Sequence, residues 1–327
     1  MSSLCQRHWH QMVRRFAHVS YTCQRERWRD LCSLVVLLAC VLSGCAAANT
    51  TSTTQSKAIQ VIAAEDFWGS IASQLGGAYV QVTSVVSSPS VDPHDYESTT
   101  NDARNFAQAD YVILNGAGYD DWGQRLLDAN PTPNRKVLTV ANILGKKRGD
   151  NPHFWYHPDF VETMADHITA DYQALDPAHR TYFAQQRVAF ENALQPYHEL
   201  VTSMQTTFAG TKIGSSESIA VYMAQALHLN LITPSAYLNA ENNGTEPPTD
   251  AVAQFHQQIT HKEMAVMLID VQNISHETQN LEQMVKQQGI PIVEITETIR
   301  PAGRTFQQWQ LDQLRALQNA LTRQQKG

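Results

Sequence analysis

The chain has 327 residues, of which 43% are hydrophobic and 17% charged, and a formal net charge of −7. That length suits two lobes of ordinary domain size. The modestly negative balance, with no basic stripe beyond the first thirty residues, excludes nucleic acid as the expected partner; Lys146-Lys147-Arg148 is short and reads as a solvated loop.

Residues 1–30 carry six Arg against one Glu and one Asp, and the apolar run Leu31 to Leu42 follows, ending in Leu42-Ser43-Gly44-Cys45. A basic region, a short apolar core and small residues before a cut describe an export signal over residues 1–44. The apolar run falls short of the ~20 residues that span a bilayer. All five cysteines (Cys5, Cys23, Cys32, Cys40, Cys45) lie at or before this cut. The exported chain is therefore expected to have no disulfide, no thiolate metal ligand and no cysteine nucleophile. Residues 45–57 include a Thr/Ser-rich tract without apolar periodicity, which reads as a flexible tether.

From residue 58 short apolar runs alternate with helical runs. Strands are expected at Ile59–Ala63, Val80–Val86, Tyr111–Leu114 and Val137–Val140, with helices starting near Asp66, Ser98 and Asp120. This alternation predicts an N-terminal α/β lobe over 58–175 with mainly parallel pairing. Asp176-Pro177 then opens a stretch without Gly up to Phe208, with Gly210 as a stop. It predicts one long backbone helix over 176–209 that links two lobes, capped by Asp176 and kinked or broken at Pro196. A C-terminal α/β lobe over 210–327 follows. Its strands are expected at Ile213–Ser215, Val266–Ile269 and Ile292–Ile295, and its helices at Ser218–Leu227, Thr249–Lys262, His276–Gln288 and Phe306–Thr322. Asn239 to Pro248 reads as a loop. Its Asn243-Gly244-Thr245 sequon is read as chance.

Thirteen histidines make any one of them weak evidence. His167, His179, His198, His256 and His261 sit in polar helical runs and read as solvated. His94 and His153 differ: each follows a Pro in a loop after a strand, where binding groups gather in α/β folds. Glu217 opens a helical run after a strand, and Glu297 follows the last strand. Two imidazoles and two carboxylates from four separate strand ends form a candidate set for one divalent cation. The competing readings are histidines bonded to their own loops, a helix N-terminal acid favoured by the dipole at Glu217, and a surface acid at Glu297.

Asp92-Pro93-His94-Asp95-Tyr96-Glu97, Asn115-Gly116-Ala117-Gly118-Tyr119-Asp120 and Asn151-Pro152-His153-Phe154-Trp155-Tyr156 come in that order. Phe67-Trp68-Gly69-Ser70-Ile71-Ala72 precedes them and Pro291-Ile292-Val293-Glu294-Ile295-Thr296-Glu297-Thr298 closes the series. As an ordered set over residues 58–325 they resemble the zinc- and manganese-specific substrate-binding lipoproteins of bacterial ABC importers. Leu-Ser-Gly-Cys likewise resembles the lipobox of bacterial lipoproteins, which implies lipidation at Cys45. The resemblance implies two α/β lobes joined by a long helix, with the metal in the cleft between them. It implies His94, His153, Glu217 (five residues before Tyr222) and Glu297 as ligands. It also implies a lipid-anchored extracytoplasmic protein, expected to be a monomer, that delivers its ion to a membrane permease and catalyses nothing.

The chain departs from the family pattern at His157, where many members have Asp, and it lacks a long His- and acid-rich loop before His153. His157 is read as a neighbour of a helix N-cap, against the alternative of an outer-shell group orienting His153. Imidazoles suit Zn²⁺ and carboxylates Mn²⁺, and the Irving–Williams order favours zinc. The closing segment is the more similar to zinc receptors, so zinc is preferred and manganese stays open. The rival functions are a metal-dependent hydrolase, for which no His-Glu-x-x-His pattern exists, a surface adhesin on the same scaffold, and a receptor for a metal chelate using Trp155 and Arg300.

Overall fold

The computed structural model describes residues 57–326 apart from 89, 90, 92, 243 and 274. The export signal, Cys45, nearly all of the tether and Asn243 of the sequon lie outside the described residues.

Strand β1 (Ile59–Glu65) is almost wholly buried, and β3 (Tyr111–Leu114) is buried at every position. Continuous apolar strands of this kind need cover on both faces, which parallel sheets with helical crossovers supply. Helix α1 (Asp66–Gly76) follows β1 and leads to the edge strand β2 (Val80–Val86), where exposure alternates. Helices α2 (Thr100–Gln108) and α3 (Asp121–Ala129) flank β3, and β4 (Lys136–Thr139) runs directly into the one-turn α4 (Val140–Ile143). The strands pair in the order β2-β1-β3-β4, all parallel, with Val61 opposite both Val82 and Tyr111.

Helix α5 (Pro158–Leu175) packs along α1 and α6 (Arg180–Phe208). The sequence reading gave α5 no range, although it placed His157 beside a helix N-cap and His167 in a helical run; the structure has His157 at the N-cap, Pro158 at the first turn and Val161, Met164, Ala165, Ile168 and Tyr172 buried at helical spacing. The long helix is present, with two differences from expectation. Asp176 makes no side-chain cap; its carboxylate meets His179 Nδ1 at 2.6 Å instead, and the chain makes a 3-10 turn before α6. Pro196 does not break α6, which is assigned as helix throughout its 29 residues. The lost backbone bond is outweighed by packing, since Leu194, Tyr197, Val201 and Met204 around it are all buried.

The second sheet repeats the first. Strands β5 (Lys212–Ser215), β6 (Asn230–Leu231), β7 (Val266–Asp270) and β8 (Ile292–Ile295) pair in the order β6-β5-β7-β8, again all parallel. Its helices are α7 (Ala220–Ala226), α8 (Ser235–Asn242), α9 (Thr249–Thr260), α10 (His276–Gln288) and α11 (Phe306–Lys326). Strand β6 and helix α8 escaped the sequence reading. The segment expected as loop from Asn239 is helical up to Asn242, because Tyr237, Leu238 and Ala240 anchor it in the core.

One apolar cluster runs from Val61 and Tyr111 of the first sheet, through Phe183, Leu194 and Met204 of α6, to Ile213, Leu268 and Leu317 of the second lobe. Helix α11 adds a second connection. It packs on α6 and reaches α1, where Phe306 N donates to Ser70 Oγ at 3.0 Å and the Gln74 and Gln307 amides pair. Asp66 at the start of α1 accepts from Ile299 N at 3.0 Å. Two helices and a shared core thus restrain hinge motion between the lobes.

Candidate metal centre

Four side chains converge from the carboxyl ends of the two sheets, the edges at which α/β folds gather ligands. His94 follows β2, His153 lies beyond β4, and Glu217 and Glu297 each stand two residues past a strand, β5 and β8. One donor atom from each lies within 4.8 Å of those of the other three. His94 Nε2 is 3.5 Å from Glu217 Oε1 and 3.5 Å from Glu297 Oε2. His153 Nε2 is 3.3 Å and 3.7 Å from the same two oxygens. The four candidates from the sequence are therefore brought together.

His94 sits in the 3-10 turn Pro93–Asp95. The chain after it is held by Tyr96, whose hydroxyl donates to Asp102 at 2.8 Å. The same carboxylate completes the capping box of α2 with Thr99. His153 is oriented by Asn151: backbone N and ring Nδ1 both lie 2.9 Å from Asn151 Oδ1. That oxygen can only accept, so Nδ1 carries the proton and the Nε2 lone pair faces the cluster. Asn151 also crosses to the second lobe, donating to Ser218 O at 2.6 Å, while Tyr222 donates to Asn151 O at 3.0 Å.

Glu217 does not open a helix as expected. Ser216 N still bonds Leu268 O at 2.9 Å, the chain bends at Ser216 and Glu217, and α7 starts only at Ala220. The dipole reading of Glu217 therefore loses its helix. Glu297 is held through its backbone, N–H to Gln272 Oε1 at 2.9 Å, and its Oε2 accepts a hydrogen bond from the Tyr119 hydroxyl. His157 is the N-cap of α5, accepting from Asp159 N, and does not touch His153 in the manner of an outer-shell group.

His153, Glu217 and Glu297 are at most 2% exposed, whereas His94 is 23% exposed. His153 Nε2, both Glu217 oxygens and Glu297 Oε1 are buried without a hydrogen-bond partner. Buried polar atoms are rarely left so, and their clustering in residues whose donor atoms converge suits a cation. Burial pushes the His153 ring toward neutrality, but Glu217 and then Glu297 overcome this and raise its pKa above the usual histidine value. Burial likewise opposes ionisation of Glu217 and Glu297, yet the facing imidazoles hold both below the usual carboxylate range. Around them Glu65 and Asp270 are driven far up, first by burial and then by neighbouring carboxylates, which favours their neutral forms. Beneath the cluster Phe67 and Trp155 stack at 3.8 Å, and His153 meets Trp155 edge-on at 5.2 Å. This aromatic floor excludes water and strengthens the electrostatics above it.

Tyr119, Asn151, Ser218 and Gln272 support the ligand candidates but were not assigned that role from sequence. Tyr119 and Asn151 lie inside the quoted motifs, whereas nothing local marks Gln272. Several histidines read as solvated have acidic partners: His179 with Asp176, His198 with Glu162 at 3.3 Å, and His256 with Glu277 at 2.9 Å. The group Glu162, Glu191 and His198 also has metal-ligand spacing. Arg187 is bonded to both of these acids and to Asp166, so an internal cation already serves it.

Two parallel α/β lobes with four convergent donors between them define a bilobal receptor of the substrate-binding class. The profile of one family, described as zinc-uptake complex component A, periplasmic, matches residues 61–320, and the chain belongs to that family. It is 22% identical over 305 residues to the iron ABC transporter substrate-binding lipoprotein MtsA of Streptococcus pyogenes serotype M1, covering 86% of this chain and 94% of the relative. It is 24% identical over 219 residues to the manganese-binding lipoprotein MntA of Halalkalibacterium halodurans, covering 65% and 72%. A manganese-bound mutant of a periplasmic metal binding protein from candidatus liberibacter asiaticus has the same fold, with a TM-score of 0.69 at 18% identity over 81% of this chain and all of that one.

Proposed function

We propose that this chain is an extracytoplasmic receptor, lipid-anchored through Cys45, that binds one divalent transition-metal ion through His94, His153, Glu217 and Glu297 and passes it to an ABC permease. The observation that carries the reading is the convergence of one donor atom from each of the four residues within 4.8 Å at the junction of the two lobes. Family membership and the lipoprotein names of the relatives support the transport role and the anchor. Cys45 itself lies outside the described residues, and among those residues no helix is long and apolar enough to cross a membrane.

Four protein donors fill a tetrahedral set and leave no open position of the kind catalytic zinc needs. The protein is accordingly a receptor without turnover, acting as a monomer. The cargo follows from the donors: two imidazole nitrogens and two carboxylates accept Zn²⁺, Mn²⁺ and Fe²⁺, and intrinsic affinity ranks zinc above the other two. The relatives, named for zinc, manganese and iron, support that same range. Zinc is our first choice, with manganese next.

The deciding experiment strips the protein with chelator and titrates Zn²⁺ and Mn²⁺ separately against a competing indicator, with His153→Ala in parallel. Saturable one-to-one binding abolished by the substitution supports the receptor. Absence of saturable binding by either ion overturns it and moves the chelate receptor forward.

A further inference from the structure

Gln272 lies in the bend after β7, and its side chain touches both lobes. Its Oε1 accepts from Glu297 N at 2.9 Å, Thr298 N at 3.0 Å and Thr298 Oγ1 at 3.2 Å. Its Nε2 donates to Val91 O, on the segment leading to His94, at 3.0 Å. Backbone N–H donors on one side and a carbonyl on the other admit a single orientation of the amide. Asp270 fixes the bend by accepting from Gln272 N at 2.8 Å.

We infer that Gln272 is a positioning residue of the metal site, joining the Glu297 backbone to the approach of His94 and thereby setting how long a bound ion is retained. This rests on the metal-receptor reading. The four candidate ligands differ in accessibility: His94 is 23% exposed and the other three at most 2%. An ion leaving toward solvent therefore parts from His94 first. The turn holding His94 is tied within its own lobe on the far side, through Tyr96 and Asp102. On the near side Val91 is three residues away, and the Gln272 amide bonds its carbonyl from the opposite lobe. Loss of that bond removes a tie between the approach to His94 and the Glu297 backbone while each lobe keeps its own core.

The test uses the full-length chain in mild detergent, loaded with Zn²⁺ and mixed with excess chelator, so that the release rate is read directly. Gln272→Glu keeps the acceptor for Glu297 and Thr298 but loses the donor to Val91. Its added negative charge would by itself slow release of a cation. The expected result is release faster by roughly fivefold to tenfold, the size of one hydrogen bond, with the metal-free melting temperature unchanged. Gln272→Met, which removes both contacts, should release faster still. Release at the wild-type rate in Gln272→Glu overturns the inference. So does a drop in metal-free melting temperature that tracks the release rate, because that marks a merely structural role. If Gln272→Met does not fold, Gln272→Glu alone decides. If wild type shows no saturable binding, the receptor reading fails and the inference with it; if wild type binds and His153→Ala does not, only the role of Gln272 is in question.

Discussion

His153 Nε2 faces Glu217 Oε1 across 3.3 Å, although the histidine follows the last strand of the first sheet and the glutamate the first strand of the second. Helices α6 and α11, packed on each other, and the Asn151 bonds to the second lobe help hold the two carboxyl edges together. Removing His153 leaves the two carboxylates facing each other with less cationic compensation, and removing Glu217 takes from His153 Nε2 its nearer carboxylate. Glu217→Ala and His153→Ala should each weaken Zn²⁺ binding by more than the ~100-fold that marks the upper range for outer-shell changes. Competition titration against an indicator checks this, and a loss under tenfold for either would remove that residue from the ligand set.

Asn151 sets the tautomer of His153 through its side-chain oxygen. Asn151→Ala should cost about 10–100-fold in affinity. Asn151→Asp keeps an acceptor for Nδ1–H and should recover part of that loss, although the bond to Ser218 O is gone. Equal affinities for the Ala and Asp variants would show that ring orientation does not depend on this acceptor.

The pH dependence has two limbs. In the metal-free protein the pKa of His153 is raised, so its proton stabilises the fold below the ordinary histidine value, and this contribution is lost as pH rises through the raised one. Glu217 and Glu297 are lowered, so their contribution is present above the ordinary carboxylate value and is lost as pH falls. The cluster therefore stabilises the metal-free fold most at mildly acid pH. A metal ion must displace the His153 proton, so affinity should rise with pH by about tenfold per unit until the raised pKa is passed. Calorimetric titrations from pH 5 to 8 test this, and a flat profile from pH 5 to 7.5 would contradict imidazole ligation.

Gly116 turns the chain at the end of β3 with φ of +79°. A Cβ there would lie 2.6 Å from Thr139 Cγ2 and 2.9 Å from Ala141 Cβ. Both the left-handed conformation and the contact oppose Gly116→Ala, which should destabilise the protein by about 1–3 kcal/mol. Gly116 N donates to Asp120 at 2.8 Å, and Asn115 Nδ2 holds Pro152 O beside His153 at 2.9 Å. Metal affinity should therefore fall as well. Chemical denaturation of the metal-free variant measures the first effect and indicator competition the second; wild-type stability would show that the turn yields freely.

Seven of the eight strands among the described residues were legible near their observed bounds, because most strands of covered parallel sheets are short continuous apolar runs. The two-residue β6 was too short to leave a pattern. Helix boundaries were less legible where tertiary contacts overrode local signals: Pro196 lies inside α6, α8 extends to Asn242, and the bond of Ser216 to β7 with the bend that follows delays α7 to Ala220. For His179, His198 and His256 the sequence was silent about the acids that meet them, since all but one of those pairs join different elements.

By itself the sequence determined two α/β lobes, a long helix between them and the four residue types set after their strands, because apolar periodicity and Pro-His loops are local properties of the chain. Only the tertiary structure decided that those four side chains meet within 4.8 Å, that Asn151 turns the His153 lone pair inward, and that Gln272 joins Glu297 to the approach of His94. The physical reason is separation: Gln272 and Val91 are 181 residues apart, and a hydrogen bond over such a span has no signature in either local segment.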